Sequence, residues 1–310
     1  MLQSAHSLPR TRSHRGVLLV RRYITSLTIS GKETYSAMKT SIRPLAMMAL
    51  GLMLLATTGC SKLRARDQLN KGVQSYKNAK YEEAINHFQQ AVSLDPGLLN
   101  ARLYLATAFA QQYIPGVDNE DNNKMGESAI NEYKAVLERD PRNINSVKGI
   151  AYLYLQMKRF EDAKTFYRKA NDLDPNDPEP YYSVAVIDWT QSYQPRMEER
   201  AKVGLKPDEW IMKEKGNKKI CEMLREKNSG VIQDGIAMLQ KALDLRPDYD
   251  DAMAYLNLLY REKGDLECDD PGARAADLKT ADEWVDKTMT TKKIKAEKQP
   301  GNQGITMPSK

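Results

Sequence analysis

INSVKGIAYLYLQMKRFEDAKTFYRKANDLDPND, residues Ile144 to Asp177, is a 34-residue unit whose reading decides the fold. Two helical stretches flank a turn at Lys158-Arg159. The first presents Ala151 and Tyr154, the second Ala163, Tyr167 and Ala170, and Pro175 closes the unit. Small residues are needed where two antiparallel helices cross closely, and an aromatic fills the gap between neighbouring pairs. A proline past the last turn stops the helix and prepares the next one.

The pattern returns on both sides of this unit. Upstream lie Gly72, Tyr81, Ala84, Phe88, Ala91 and Pro96, with Ser75 where an aromatic is usual and Tyr76 beside it. Next come Ala106, Phe109, Ala129, Tyr133 and Pro141, with about eleven extra residues around Pro115 to Lys124. Downstream, Ala185 and Trp189 precede a long excursion before Leu239, Ala242 and Pro247. A last unit holds Leu256 and Tyr260, a Gly/Asp/Pro loop, and a helix from about Ala275 to Lys295 that caps the array. Ala84 to Pro96, Ala129 to Pro141 and Ala163 to Pro175 each span twelve residues, a spacing that chance hairpins do not reproduce three times. Val136, Gly235 and Leu239 depart from the Ala/aromatic/Ala pattern.

These residues resemble the tetratricopeptide repeat, over about 65–297 less the insertions. The resemblance implies an all-α fold, a right-handed superhelical array of helix–turn–helix repeats whose first helices line a concave face. About five helix pairs are expected in a domain spanning 60–297, with insertions near 112–125 and 190–229. Residues 298–310, with Pro300-Gly301 and Gln303-Gly304, read as a disordered tail.

The start of the chain is of another kind. Leu45 to Ala56 is an apolar run preceded by Lys39 and Arg43 and followed by Thr57-Thr58-Gly59-Cys60. That is the layout of a secretory signal. Twelve helical residues cover about 18 Å, too little for a ~30 Å hydrocarbon core. Gly59-Cys60 resembles a bacterial lipobox, with Thr57 where Leu is usual, and implies lipidation of Cys60. Residues 38–59 then form the signal peptide, and the Arg- and Ser-rich 1–37 a disordered or over-extended start. Ser61 after the Cys, rather than Asp, resembles lipoproteins sent to the outer membrane, facing the periplasm.

Charge follows the same division. Of 47 Lys/Arg and 41 Asp/Glu, eight and one fall in residues 1–59, leaving 39 and 40 beyond. The exported part is nearly neutral, which excludes nucleic-acid binding as the reason for the formal +6. The expected partners are proteins, with the membrane reached through the lipid.

Chemistry is sparse. His87 is the one histidine after residue 59 and is expected on the outer surface, so no Ser/His/Asp, Cys/His or zinc arrangement suggests itself. Asp95, Asp140 and Asp174 recur at repeat ends as turn formers before Pro. No cofactor, metal, small-molecule substrate or enzymatic activity is expected. Cys221 and Cys268 invite a disulfide in an oxidising compartment, pinning the long insertion to the last loop.

The candidate site is the groove. The repeat numbering puts Tyr76, Leu103, Thr107, Tyr152, Leu155, Tyr182, Val186 and Trp189 on or near its face, with about half expected to be core. Such a lining suits a partner's extended peptide or helix. Tyr182 and Trp189 are the residues expected to remain available. The excursion 190–229 reads as a loop at Tyr193-Gln-Pro195, a charged stretch Arg196–Lys202, then a helix from Pro207 towards Leu224. Exposed Trp210 and Met212 would dock over the groove or meet a partner, unless the segment is a solvated connector. The expectation is a lipid-anchored envelope scaffold serving envelope or pilus assembly; the alternative is a polysaccharide- or peptidoglycan-processing or -binding accessory using 190–229.

Overall fold

The computed structural model describes residues 60–206 and 209–298; the expected leader (1–59) and tail (299–310) lie outside them. Ten helices follow one another without a strand among the described residues. They are α1 (60–77), α2 (Tyr81–Leu94), α3 (Leu99–Gln112), α4 (Glu120–Leu137), α5 (Ile144–Gln156) and α6 (Phe160–Leu173). Then come α7 (Pro178–Lys202), α8 (Lys218–Leu245), α9 (Asp250–Asp265) and α10 (Pro271–Lys298). Each helix packs on its neighbours in sequence, so five antiparallel pairs stack in a row. The all-α array expected from the repeat pattern is the fold observed.

The signature positions are the packing positions. Ala84, Phe88 and Ala91, then Ala129, Tyr133 and Val136, then Ala163, Tyr167 and Ala170 are all buried. Gly235, Leu239 and Ala242 take the same places in α8 and are buried too. Gly235 departs from the pattern for a steric reason: a Cβ there would lie 2.8 Å from Leu259 Cδ1. The core is continuous along the array, with one cluster over α1–α3, a second over α3–α7 and a third over α7–α10.

The turns follow local chemistry. Asp95 and Asp174 accept backbone N–H bonds from Gly97 and Asn176, two residues on, which makes them turn formers. Asn143 caps α5 through Ser146 N, and Asp177 caps α7 with Pro178 at the first helical position. Within the first and third pairs, Ala79 and Lys158 adopt positive φ (57° and 58°) at the reversal. His87 is half-buried against α1, its Nδ1 2.7 Å from Gln68 Oε1, rather than free on the outer surface.

Both insertions are more ordered than their composition suggests. The first is a loop over 113–119 plus an added turn at the start of α4. Asn122 holds it, accepting from Ile114 N and donating to the carbonyls of Ile114 and Val117. The second contains no loop at Tyr193-Gln-Pro195: α7 continues through Pro195 to Lys202. Pro195 removes one helical hydrogen bond, yet this turn is held from outside, where Asn228 Nδ2 donates to the Ser192 carbonyl. After two short 3-10 turns at Ile211–Lys213 and Lys215–Asn217, α8 begins at Lys218, not near Pro207. α10 starts at Pro271, four residues before the expected Ala275, because Asp270 Oδ1 accepts from the backbone of both Gly272 and Ala273.

The charged stretch is not solvated. Arg196 binds Glu262 through two parallel bonds of 2.6 and 2.7 Å and Asp265 through a third. Arg200 reaches the same Asp265 at 2.9 Å and the Lys206 carbonyl at 2.7 Å. Four residues apart on α7, the two arginines face carboxylates three residues apart on α9, so charge balances inside the fold. Trp210 is half-buried with Arg274 over its ring, and Met212 packs into the same cluster. Neither is exposed as a docking group. Cys221 and Cys268 are joined in a disulfide, both sulfurs buried.

Candidate functional site: the face of the first helices

The face to test runs along α1, α3, α5, α7 and α9. Tyr76 is half-buried and lies edge-on to Tyr81, 5.4 Å away, within its own pair. Leu103 and Leu155 pack against the central core. Thr107 donates to the Leu103 carbonyl and meets Tyr133 Oη at 3.2 Å, so its hydroxyl is engaged. Tyr152 is the outward group, 50% exposed, and Val186 is half-buried.

Tyr182 and Trp189 belong to an aromatic group bridging α7 and α9. Tyr182 lies 5.0 Å from Tyr249 and 5.5 Å from Tyr255, while Trp189 stacks on Tyr193 at 4.9 Å and meets Tyr255 edge-on at 5.6 Å. Such pairs contribute about 0.5–1.5 kcal/mol each beyond area burial. Burial, reinforced by Tyr255, pushes the Tyr182 hydroxyl well above its ordinary range, so it stays protonated. Tyr249, on the same cluster, donates to Glu179 at 2.8 Å. The two residues expected to remain available therefore have much of their surface engaged with α9. Tyr193 and Tyr249 lie outside the repeat signature, and Tyr255 sits beside the recognised Leu256.

Two ion pairs lie along this face, and the carboxylate of Asp251 stands beside Tyr182 and Tyr255. Lys148 reaches Asp177 at 2.6 Å and Arg246 reaches Glu179 at 2.7 Å. Among the described residues no cluster of three His, Cys, Asp or Glu has the geometry of a metal site. Two carboxyls do approach each other, Asp188 and Asp234, but Asp188 is fully buried on Lys164 and Asp234 is bound by Arg168. This arrangement holds α6, α7 and α8 together and presents no open pair of acids.

Family models of the tetratricopeptide repeat match residues 69–98 and 123–186. The chain carries tetratricopeptide repeats. Similar in fold are the solved MamA protein (TM-score 0.50, 13% identity, 79% of this chain and 98% of that one) and a MamA RS-1 double mutant (TM-score 0.50, 15% identity, 76% and 97%). At such identities the likeness is one of architecture. Among curated proteins, a DnaJ homolog subfamily C member 7 homolog of Dictyostelium discoideum is 29% identical over 121 residues, covering 38% of this chain. The match spans 21% of that relative's length. The repeat array is a protein-interaction scaffold.

Proposed function

We propose that this protein is a non-catalytic scaffold of the bacterial cell envelope, anchored by a lipid on Cys60 and binding a partner's peptide or helix along the face of its first helices. The supporting observation is exposed Tyr152 on α5 together with the half-buried aromatic group of Tyr182, Tyr255 and Trp189 on α7 and α9. Aromatic anchors dominate binding energy at protein interfaces. Cys60 is exposed at the start of α1, where an acyl chain would tether the array. Ser61 after it favours the outer membrane, facing the periplasm. Tethering raises the effective concentration of membrane partners, so modest groove affinity suffices. Service in envelope or pilus assembly fits this arrangement. The rival polysaccharide-processing reading needs facing acids of 190–229 in an open site; Glu199 and Glu209 are bound by Lys202 and Lys213, and Glu214 and Glu226 line none of the cavities described below.

The test is cross-linking in intact cells, followed by mass spectrometry of what is attached. A reproducible partner set that disappears with Tyr152→Ala, in a variant of unchanged unfolding midpoint, supports the groove. A set unchanged by Tyr152→Ala refutes it. Metabolic labelling with palmitate, present in the parent and absent in Cys60→Ala, tests the anchor separately.

A further inference from the structure

The fourth pair is much longer than the third. α7 has 25 residues against 13 in α5, and α8 has 28 against 14 in α6. At about 1.5 Å per residue the excess is roughly 18–21 Å. Both surplus lengths lie on the side where the first helix of a pair turns into the second. α7 starts beside the end of α6 and runs past the α5–α6 turn, and α8 returns from beyond it. The overhang is rigid, held by Arg196 and Arg200 on α9 and by the Cys221–Cys268 disulfide. It stands as a wall beside the Lys158 turn.

A cavity of about 650 Å³ lies against this wall, within the range of ligand-binding pockets. Phe160, Pro195 and Val231 give it apolar lining, and Lys158, Lys164 and Lys227 bring charge. Lys164 is closed on Asp188, while Glu161 accepts from the neutral Gln191 Nε2 at 2.7 Å and keeps its negative charge. Lys158 and Lys227 have no ion partner among the described residues, so against the single carboxylate of Glu161 the lining keeps one net positive charge. Lys158 also lines a second cavity of about 380 Å³, walled by Tyr113, Val117 and Met157. Asp118 also borders this second space, and Ile114 beside it is 58% exposed. Two spaces that share Lys158, one beside each insertion, suit an extended chain better than a compact molecule.

We propose that this turn edge is a second docking site, distinct from the groove, for an extended segment of a partner protein that alternates acidic and apolar residues. Its acids lie against Lys158 and Lys227, and its apolar side chains cover Phe160, Pro195 and Val231. Both insertions of the chain fall on this edge, as expected where repeat insertions build a binding face.

The test is amide chemical-shift mapping of the full chain, 15N-labelled, with two doubly capped probes: acetyl-Leu-Asp-Leu-Asp-Leu-amide and acetyl-Leu-Lys-Leu-Lys-Leu-amide. The acidic probe is expected to shift amides within 158–164, 190–195 and 227–231. It should bind at least tenfold more tightly than the basic probe. Lys158→Gln with Lys227→Gln should weaken it at least tenfold; both side chains are exposed, and an unchanged urea midpoint verifies the fold. Equal binding of the two probes, no shift at the edge, or indifference to the double substitution overturns the proposal. Shifts confined to amides around Tyr152 and Tyr182 also overturn it while leaving the groove reading intact.

Discussion

Reduction of the Cys221–Cys268 bond should release the C-terminal end of the array without unfolding the rest. The bond closes a loop of 47 residues. In the chain-entropy treatment, a loop of that length removes about 13.6 cal/mol/K from the unfolded ensemble, or about 4 kcal/mol at 25 °C. The loop contains α8 from Cys221 onward and the whole of α9, so the loss falls on these two helices and on α7 and α10 packed against them. Repeat arrays are held by nearest-neighbour interfaces, and α1–α6 lie outside the closed loop. Urea unfolding followed by circular dichroism, with and without reductant, should therefore change from one transition to two, the earlier one belonging to α7–α10. Hydrogen exchange should show faster exchange at 192–202 and 218–268, with 81–173 unchanged. Cys221→Ala with Cys268→Ala should reproduce the reduced behaviour. A shift below about 1 kcal/mol in both experiments, or an intact mass showing two free thiols before reduction, would refute the reasoning.

Arg196→Met should cost about 3–5 kcal/mol, because it strands Glu262 in a buried site; a urea midpoint close to the parent's counts against the buried pairing. Complete enclosure pushes the Asp188 carboxyl up to about 7, outweighing the pull of Lys164 Nζ at 2.5 Å. The folded state then keeps a proton that the unfolded chain releases near pH 4. This contribution is fully present below about pH 4 and lost as pH rises towards 7, at up to about 1.4 kcal/mol per pH unit. Asp188→Asn should flatten that part of the stability profile, and an unaltered slope between pH 4.5 and 7 would sink the assignment. Gly149→Ala places a Cβ 2.6 Å from the ring of Tyr133, which is buried and bonded to Thr107; overpacking of about 1–3 kcal/mol is expected. Gly230→Ala meets nothing within 4 Å in an exposed helical position, and a gain of about 0.5–1 kcal/mol is expected. Thermal unfolding of the two variants should move in opposite directions, and movement in the same direction contradicts the packing.

The repeat positions were legible because their physics is local and periodic. Ala84, Phe88 and Ala91 must be small, large and small wherever two helices cross, so spacing alone identifies them. The excursion after Trp189 was not legible, because its order comes from partners 36 to 69 residues away. Pro195, next to Tyr193 and a run of charge, looks like a loop until Asn228, Glu262 and Asp265 are placed around it. The signal that could have been read is the pairing of spacings, arginines four apart at 196 and 200 against acids three apart at 262 and 265. The groove was legible in part: threading located Tyr152 and the aromatics of α7, but their engagement depends on Tyr255 and Tyr249, contributed by the next pair.

The overhang explains why this array departs from a plain repeat stack where it does. A helix extended by about 18 Å beyond its neighbours exposes two new flanks to water, and a proline in its middle weakens it further. It persists only if something on α8, α9 and the last loop fixes it, and three different devices do so: two buried arginines on two carboxylates, a disulfide, and the half-buried Trp210 under Arg274. A mere connector between α7 and α8 would need none of them, since a few turn residues join the other pairs. The concentration of buried charge and covalent closure in one segment is the mark of a structure held to a defined shape, and its nearest open surface is the edge at Lys158. Shortening α7 and α8 together, by deleting 196–227 with Cys268→Ala, should therefore leave α1–α6 folded while abolishing edge binding. Loss of the whole array's helical signal on that deletion would instead make the overhang a requirement for folding and remove its connection to a partner.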